Sequence, residues 1–357
     1  MQEPHGGNIH RAARELGLPE QRILDFSASI NPLGVPRTAA AEIRKGIRSL
    51  PHYPDPDARR LTSRIARQYG IDAGSIICGN GSTELIYLVA RALKPESVVI
   101  PAPTFQEYER AVLLQFRSKK ITLKHPLLKP SNSFDVNAEQ LIHAMQGCSM
   151  VFLCNPNNPT GRLIKKSTLL GIADAARELG CYLVVDEAFI DFTPKESVIK
   201  EVARNPFLIV LRSLTKFYAL SGLRLGFAAA PPPVAELLRR HKEPWTVNSL
   251  AQRAGSAALD DKHYRKESLA FIKEEKTFME REFRRLGIDY VPSAANYYLL
   301  RLDAAQDIIA GLRSKGILVR NCVNFTGLDE TYMRVAVKTS RDNRRLIKEL
   351  ERLCRVS

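Results

Sequence analysis

The sequence predicts an α/β protein: a large domain built on a mostly parallel sheet, followed by a smaller α+β lobe at the carboxyl end. Strand-length apolar runs, "SIICGN", "SVVIPAP", "SMVFLCNP", "CYLVVDEAF" and "FLIVLRS", alternate with amphipathic helical patterns such as "GSTELIYLVARAL" and "KKSTLLGIADAARELG". Strands this uniformly apolar are buried on both faces, as when helices cover both sides of a parallel sheet. After Pro244 the pattern changes to a long helical stretch, 247–286, then to shorter strands in "ANYYLLRL", "ILVRNC" and "YMRVAV", and to a terminal helix from Ser340. A chain of 357 residues exceeds the size at which single cores stop growing. The expected divisions are an N-terminal segment, 1–45, joining the small lobe to the cleft, a large domain, 46–245, and a small domain, 246–357.

Composition narrows the class. Hydrophobic residues make up 45% and charged residues 25%, the balance of a folded globular chain. No run approaches the ~20 apolar residues that cross a bilayer, and "MQEPHGGNIH" lacks a signal peptide's apolar core, so a cytoplasmic protein without membrane contact is expected. The six cysteines show no metal-binding spacing and are read as reduced, mostly buried thiols. The net charge of +15 is spread among acids at helical spacing, as in "RDNRRLIKELERLCR". That pattern describes solvated faces rather than a nucleic-acid surface. A basic field also attracts a small anionic substrate.

Chemistry-bearing residues fall at the carboxyl ends of the predicted strands, where open α/β sheets bind ligands. In "ICGNGSTEL", Gly79 and Gly81 let backbone amides approach an anion. Ser82 and Thr83 add hydroxyls at the positive end of a helix, although Ser/Thr followed by Glu is also an ordinary capping pattern. In "PTFQEY", Phe105 offers a flat face, or is simply core. In "VFLCNPNNPTGRL", two Asn-Pro steps and Thr-Gly force a turn that aims an amide, Asn158, into the cleft. "YLVVDEAF" puts Asp186 at the end of an apolar strand, where a carboxylate requires a cation: a protonated ring nitrogen, or an arginine in a structural pair. "RSLTKFYALSGLRLGF" sets Lys216 among apolar residues, which lowers an amine's pKa, with Ser213, Thr215 and Arg224 disposed as a phosphate requires.

Together these residues predict a pyridoxal 5'-phosphate site. Lys216 holds the aldehyde as an imine and Asp186 the ring nitrogen. Asn158 holds the ring oxygen and Phe105 stacks. Gly81, Ser82, Thr83, Ser213, Thr215 and Arg224 surround the phosphate.

The order "GNGSTE", "PTFQEY", "NPNNPTG", "DEAF", "SLTKFYALSGLRLGF", "MRVAV" resembles the fold-type I pyridoxal-phosphate transferases, in the branch of the histidinol-phosphate aminotransferases. "HGGNIHRAARELG", "LDFSASINPLG" and "VRNCVNFTGLDETYMRVAV" are more particular. They resemble the threonine-phosphate decarboxylases of cobalamin biosynthesis, which yield (R)-1-amino-2-propanol O-2-phosphate and carbon dioxide. The resemblance implies that Arg334 meets the substrate's α-carboxylate. It implies that His5, Asn31 and Arg320 line the substrate end of a site for a phosphorylated amino acid. It also implies that Tyr53 reaches the cofactor phosphate of a second subunit in a homodimer. Two positions depart from the pattern. Phe189 stands where many related aminotransferases have a tyrosine, and Ser29 where asparagine is expected. The alternatives are a histidinol-phosphate aminotransferase of histidine biosynthesis, which needs a 2-oxoglutarate acceptor, and a non-enzymatic binding domain of the same fold.

Overall fold

The structure, a computed structural model, describes residues 6–115 and 121–355. In chain order the strands are β1 (Leu24–Asp25), β2 (Ile76–Gly79), β3 (Ser97–Val99), β4 (Thr122–Lys124), β5 (Met150–Cys154), β6 (Tyr182–Asp186) and β7 (Leu208–Ser213). They continue as β8 (Gly226–Ala229), β9 (Asp289–Tyr290), β10 (Tyr297–Arg301), β11 (Ile317–Leu318), β12 (Arg320–Asn321) and β13 (Tyr332–Ala336).

Among the described residues, the large sheet has seven strands in the order β2-β8-β7-β6-β5-β3-β4. Its neighbours pair in parallel except at β8, which runs antiparallel to both β2 and β7. Strands β5 and β7 are buried along their whole length. One apolar cluster, with Val151, Leu183 and Val210, lies on one face of this sheet, and a second, with Phe152, Val184 and Leu211, lies on the other. That alternation is the period-2 geometry of a strand covered on both sides. The carboxyl ends of β2, β5, β6 and β7 therefore share one edge, and the site is built there.

The small lobe carries an antiparallel sheet ordered β12-β13-β10-β9. The N-terminal segment is stitched into it. β1 pairs in parallel with β11, and Phe26 accepts from Ala336 N at 2.9 Å. The segment then reaches the large domain, where Asn31 N donates to Lys216 O at 3.0 Å. The stretch 247–286 is two helices rather than one, Ser249–Asp260 and Lys262–Arg285. Asp261 divides them. Its carboxylate caps the second helix by accepting from Tyr264 N at 2.9 Å and is held by Thr38 Oγ1 at 2.8 Å, so the local capping bond competes with helix continuation.

Candidate active site

A cavity of about 270 Å³ opens between the strand ends and the small lobe. Gly81, Ser82 and Thr83 begin the helix Gly81–Leu93, with their amides at its positive end. Gly81 has φ of +81°, and a Cβ there would come within 2.5 Å of Arg224 Nη2, so only glycine leaves this cradle open. Gly226 is equally constrained: it pairs with both Gly79 and Ser213, and a Cβ would meet Ser82 N at 2.6 Å. That close approach brings the loop carrying Arg224 against the helix start. Arg224 has a left-handed φ of +57° and its guanidinium lines the cavity. Such a conformation is unfavourable for a side-chain-bearing residue and is retained where the surroundings hold it. Ser213 Oγ and Thr215 Oγ1 lie 2.6 Å apart on the far side.

Lys216 sits in the one-turn helix Leu214–Phe217 that follows β7, with its Nζ 5.9 Å from the centroid of the Phe189 ring. Burial pulls its pKa down to about 8, aided by the positive charges of Arg334 and Arg224 and opposed by Asp186. Asp186 is 3% exposed at the end of β6. Burial raises its pKa to about 6, against hydrogen bonds from Tyr108 Oη at 2.7 Å and Ala188 N at 3.0 Å. No arginine pairs with it among the described residues. The buried arginine of this region, Arg212, instead joins Glu187 at 3.1 Å and Asp191 at 2.6 Å. The structural-pair explanation for Asp186 is therefore removed, and its carboxylate faces the cavity.

Asn157 and Asn158 separate cleanly. Asn157 is buried against Thr104 Oγ1, Thr160 Oγ1 and Pro103 O, whereas Asn158 lines the cavity. Asn158 Oδ1 accepts from Arg334 Nη1. A guanidinium only donates, so the amide orientation follows and Nδ2 is left as the donor. Phe105 lines the cavity edge-on to Tyr108, with centroids 5.7 Å apart.

Arg334, on β13, is 7% exposed; its Nη2 donates to Ser27 O at 2.8 Å and its Nε has no partner. No carboxylate lies within ion-pair distance of it among the described residues. Arg320, on β12, stands directly across from Arg334 in the ladder and is 6% exposed. Both line the cavity. Like charges opposite each other on adjacent strands repel, and an anion bound in the cavity between them would offset that repulsion.

Two sequence-predicted residues, Asn31 and Tyr53, lie elsewhere. Asn31 does not line the cavity. Its Nδ2 donates to Phe217 O and Ser268 Oγ, each at 2.8 Å, and its Oδ1 accepts from Leu33 N at 3.1 Å, which makes it a tie beneath the lysine loop rather than a substrate contact. Tyr53 is 82% exposed and packs on Trp245 with centroids 5.0 Å apart, outside the cleft. His5 lies outside the described residues. Ser29 lines the cavity with a buried, unpartnered Oγ. Tyr108 was not singled out from sequence; it sits at the start of the helix Glu107–Leu113, three positions after Phe105 in "PTFQEY".

The residues fit pyridoxal phosphate. The cradle at Gly81 stays open for an anion, the hydroxyls and Arg224 surround it, and a buried carboxylate without a strong cation faces an amine of lowered pKa.

The profile described as aminotransferase class I and II matches residues 21–350. The chain belongs to that family. Within it, the chain is 39% identical over 350 residues to the threonine-phosphate decarboxylase of Salmonella typhimurium, covering 97% of this chain and 95% of that one. The solved histidinol-phosphate aminotransferase of Clostridium acetobutylicum superposes with a TM-score of 0.88 at 30% identity, covering 94% and 100% of the two chains. The L-threonine-O-3-phosphate decarboxylase of Porphyromonas gingivalis superposes at 0.79 with 26% identity, covering 92% and 99%. The α/β architecture is thus the fold-type I architecture expected from the sequence. No helix of the described residues is long and apolar enough to cross a membrane.

Proposed function

We propose that this family member is a pyridoxal-phosphate-dependent carboxy-lyase that converts L-threonine O-3-phosphate to (R)-1-amino-2-propanol O-2-phosphate and carbon dioxide. The observation that carries this reading is the buried pair Arg320 and Arg334, side by side across β12 and β13 and facing the cleft. A substrate that bears a carboxylate and a phosphate at once matches two adjacent guanidiniums. The similarity to the Salmonella decarboxylase supports the same choice.

When bound, pyridoxal phosphate supplies an electron sink for the bond broken at the substrate's Cα. Asp186 would hold a proton on the ring nitrogen, and its burial would shield that pair from water. Asn158 Nδ2 donates to the ring oxygen. Ser82, Thr83, Ser213, Thr215 and Arg224 hold the phosphate at the helix start. Lys216 would hold the aldehyde, and its Nζ would deliver a proton at the substrate's Cα. Arg334 would orient the substrate's carboxylate and so favour its loss, and Arg320 would take the substrate's phosphate. The second subunit of a homodimer supplies Tyr53, whose exposed ring and the neighbouring exposed Ile47, Leu50 and Trp245 support such a contact. The enzyme works in the cytoplasm.

The test is product analysis after incubating holoenzyme with threonine phosphate or histidinol phosphate, each with and without 2-oxoglutarate. Carbon dioxide and the amine phosphate form from threonine phosphate without an acceptor. Turnover of histidinol phosphate that requires 2-oxoglutarate, with no carbon dioxide from threonine phosphate, would establish the aminotransferase instead.

A further inference from the structure

Two side chains that the chemistry above does not use join the large domain to the loop after β12. Gln106 follows Phe105 at the start of the helix Glu107–Leu113 of the large domain and lines the cavity. Its Nε2 donates to the backbone carbonyl of Asn324, and its Oε1 accepts from Asn324 Nδ2 at 3.2 Å. Asn324 Oδ1 in turn accepts from Arg320 Nη2 at 2.8 Å.

The polarity of this chain is fixed from one end. A guanidinium has no acceptor, so Asn324 must present its oxygen to Arg320 and its amide nitrogen to Gln106. Gln106 must then answer with its oxygen, which leaves its own nitrogen for the Asn324 carbonyl. Each group has one orientation in which every bond is made. Gln106 grips both the backbone and the side chain of Asn324 from the opposite wall. Phe325 supports the guanidinium from beneath, with its ring centroid 5.2 Å from the Arg320 carbon. A planar fork recognises an anion only when its direction is set, and fixing it beforehand removes an ordering cost from binding.

We propose that Gln106, acting through Asn324, is a positioning residue that sets the Arg320 guanidinium for the substrate's phosphate and so determines specificity for phosphorylated over unphosphorylated amines. This inference rests on the reading of Arg320 as the phosphate partner. The experiment uses holoenzyme and the cofactor's absorbance to measure dissociation constants for 1-amino-2-propanol O-2-phosphate and for unphosphorylated 1-amino-2-propanol. The second constant divided by the first reports the phosphate's share of binding and needs no turnover.

Gln106→Met keeps the side chain's length and removes both hydrogen-bonding ends. It lowers the ratio about tenfold, the loss expected for hydrogen bonds serving a charged group, through the phosphorylated ligand alone. Asn324→Ala acts from the other end, does the same, and decides the matter if Gln106→Met folds poorly. The double variant goes no further than either single one. Arg320→Ala collapses the ratio. If Arg320→Ala collapses it while Gln106→Met and Asn324→Ala leave it intact, the positioning role is overturned and the phosphate reading stands. If Arg320→Ala leaves it intact, the phosphate reading falls and this inference falls with it.

Discussion

Asp186 illustrates how a single residue carries a cost that a ligand removes. Its carboxyl is buried, and burial holds its pKa at about 6 against an ordinary 3.8. In the cofactor-free protein the folded state therefore binds the proton more tightly than the unfolded chain does. No cost arises below about pH 4, where both states are protonated. The cost grows between about pH 4 and 6, and above that it amounts to about 3 kcal/mol. Asp186→Asn keeps the shape without the charge, so it raises the Tm of the cofactor-free protein at pH 7 and leaves it unchanged near pH 3.5. The same variant lowers turnover of the holoenzyme more than it lowers cofactor occupancy, since electron withdrawal matters most when the Cα bond breaks. Calorimetry across pH and steady-state kinetics read the two effects. Much of this was legible beforehand: an acidic residue ending "YLVVD" announces a buried carboxylate. Its partner Tyr108 was less legible, because nothing in "PTFQEY" marks which of its two aromatics reaches a carboxylate 78 positions later. Asn31 misleads for a related reason. A polar residue in a Pro-containing segment near the cleft looks like a ligand contact, yet its amide satisfies backbone groups of the lysine loop.

At the scale of elements, the proposed substrate contacts fall on the β12–β13 ladder. Arg334 offers a fork that lysine cannot copy. Arg334→Lys weakens threonine phosphate by about tenfold or more, the loss expected of a charge-assisted bidentate pair, and changes the decarboxylated product by much less. Titration by the cofactor's absorbance compares the two ligands, and an equal loss for both would move the carboxylate elsewhere. On β7, Arg212 is 2% exposed and ties the strand to the turn after β6 through Glu187 and Asp191, with Tyr69 Oη also accepting at 3.0 Å. Arg212→Met leaves two buried carboxylates without their cation and lowers stability by about 3–5 kcal/mol, measured by denaturant unfolding. The parallel strands were readable as apolar runs. Strand β8 was not, because "GFAA" is short, small and without alternation; its strand character comes from docking between β2 and β7. The break at Asp261 was hidden for the same kind of reason, since the apolar period continues across it.

For the whole molecule, the N-terminal segment is the connection that couples the lobes. It pairs with β11 at one end and holds the lysine loop at the other. Tyr53 and Trp245 are both exposed in the single chain, and the proposed dimer would cover them. If that face is the subunit contact, Trp245→Glu shifts the protein toward monomer in analytical ultracentrifugation and loosens the cofactor together with it. A variant that stays dimeric would assign the contact to another face. This level was the least legible in the sequence. Which exposed aromatics share a patch depends on residues nearly two hundred positions apart, and no local periodicity records that.

The paired guanidiniums of Arg320 and Arg334 also bear on how the protein behaves in a test tube. Two guanidiniums facing one cavity form a field that attracts small oxyanions from the medium. Sulfate or phosphate buffer should therefore raise the melting temperature of the ligand-free enzyme and compete with substrate, whereas chloride at matched ionic strength should do so weakly. An apparent Michaelis constant for this enzyme is then a property of the buffer as much as of the cleft.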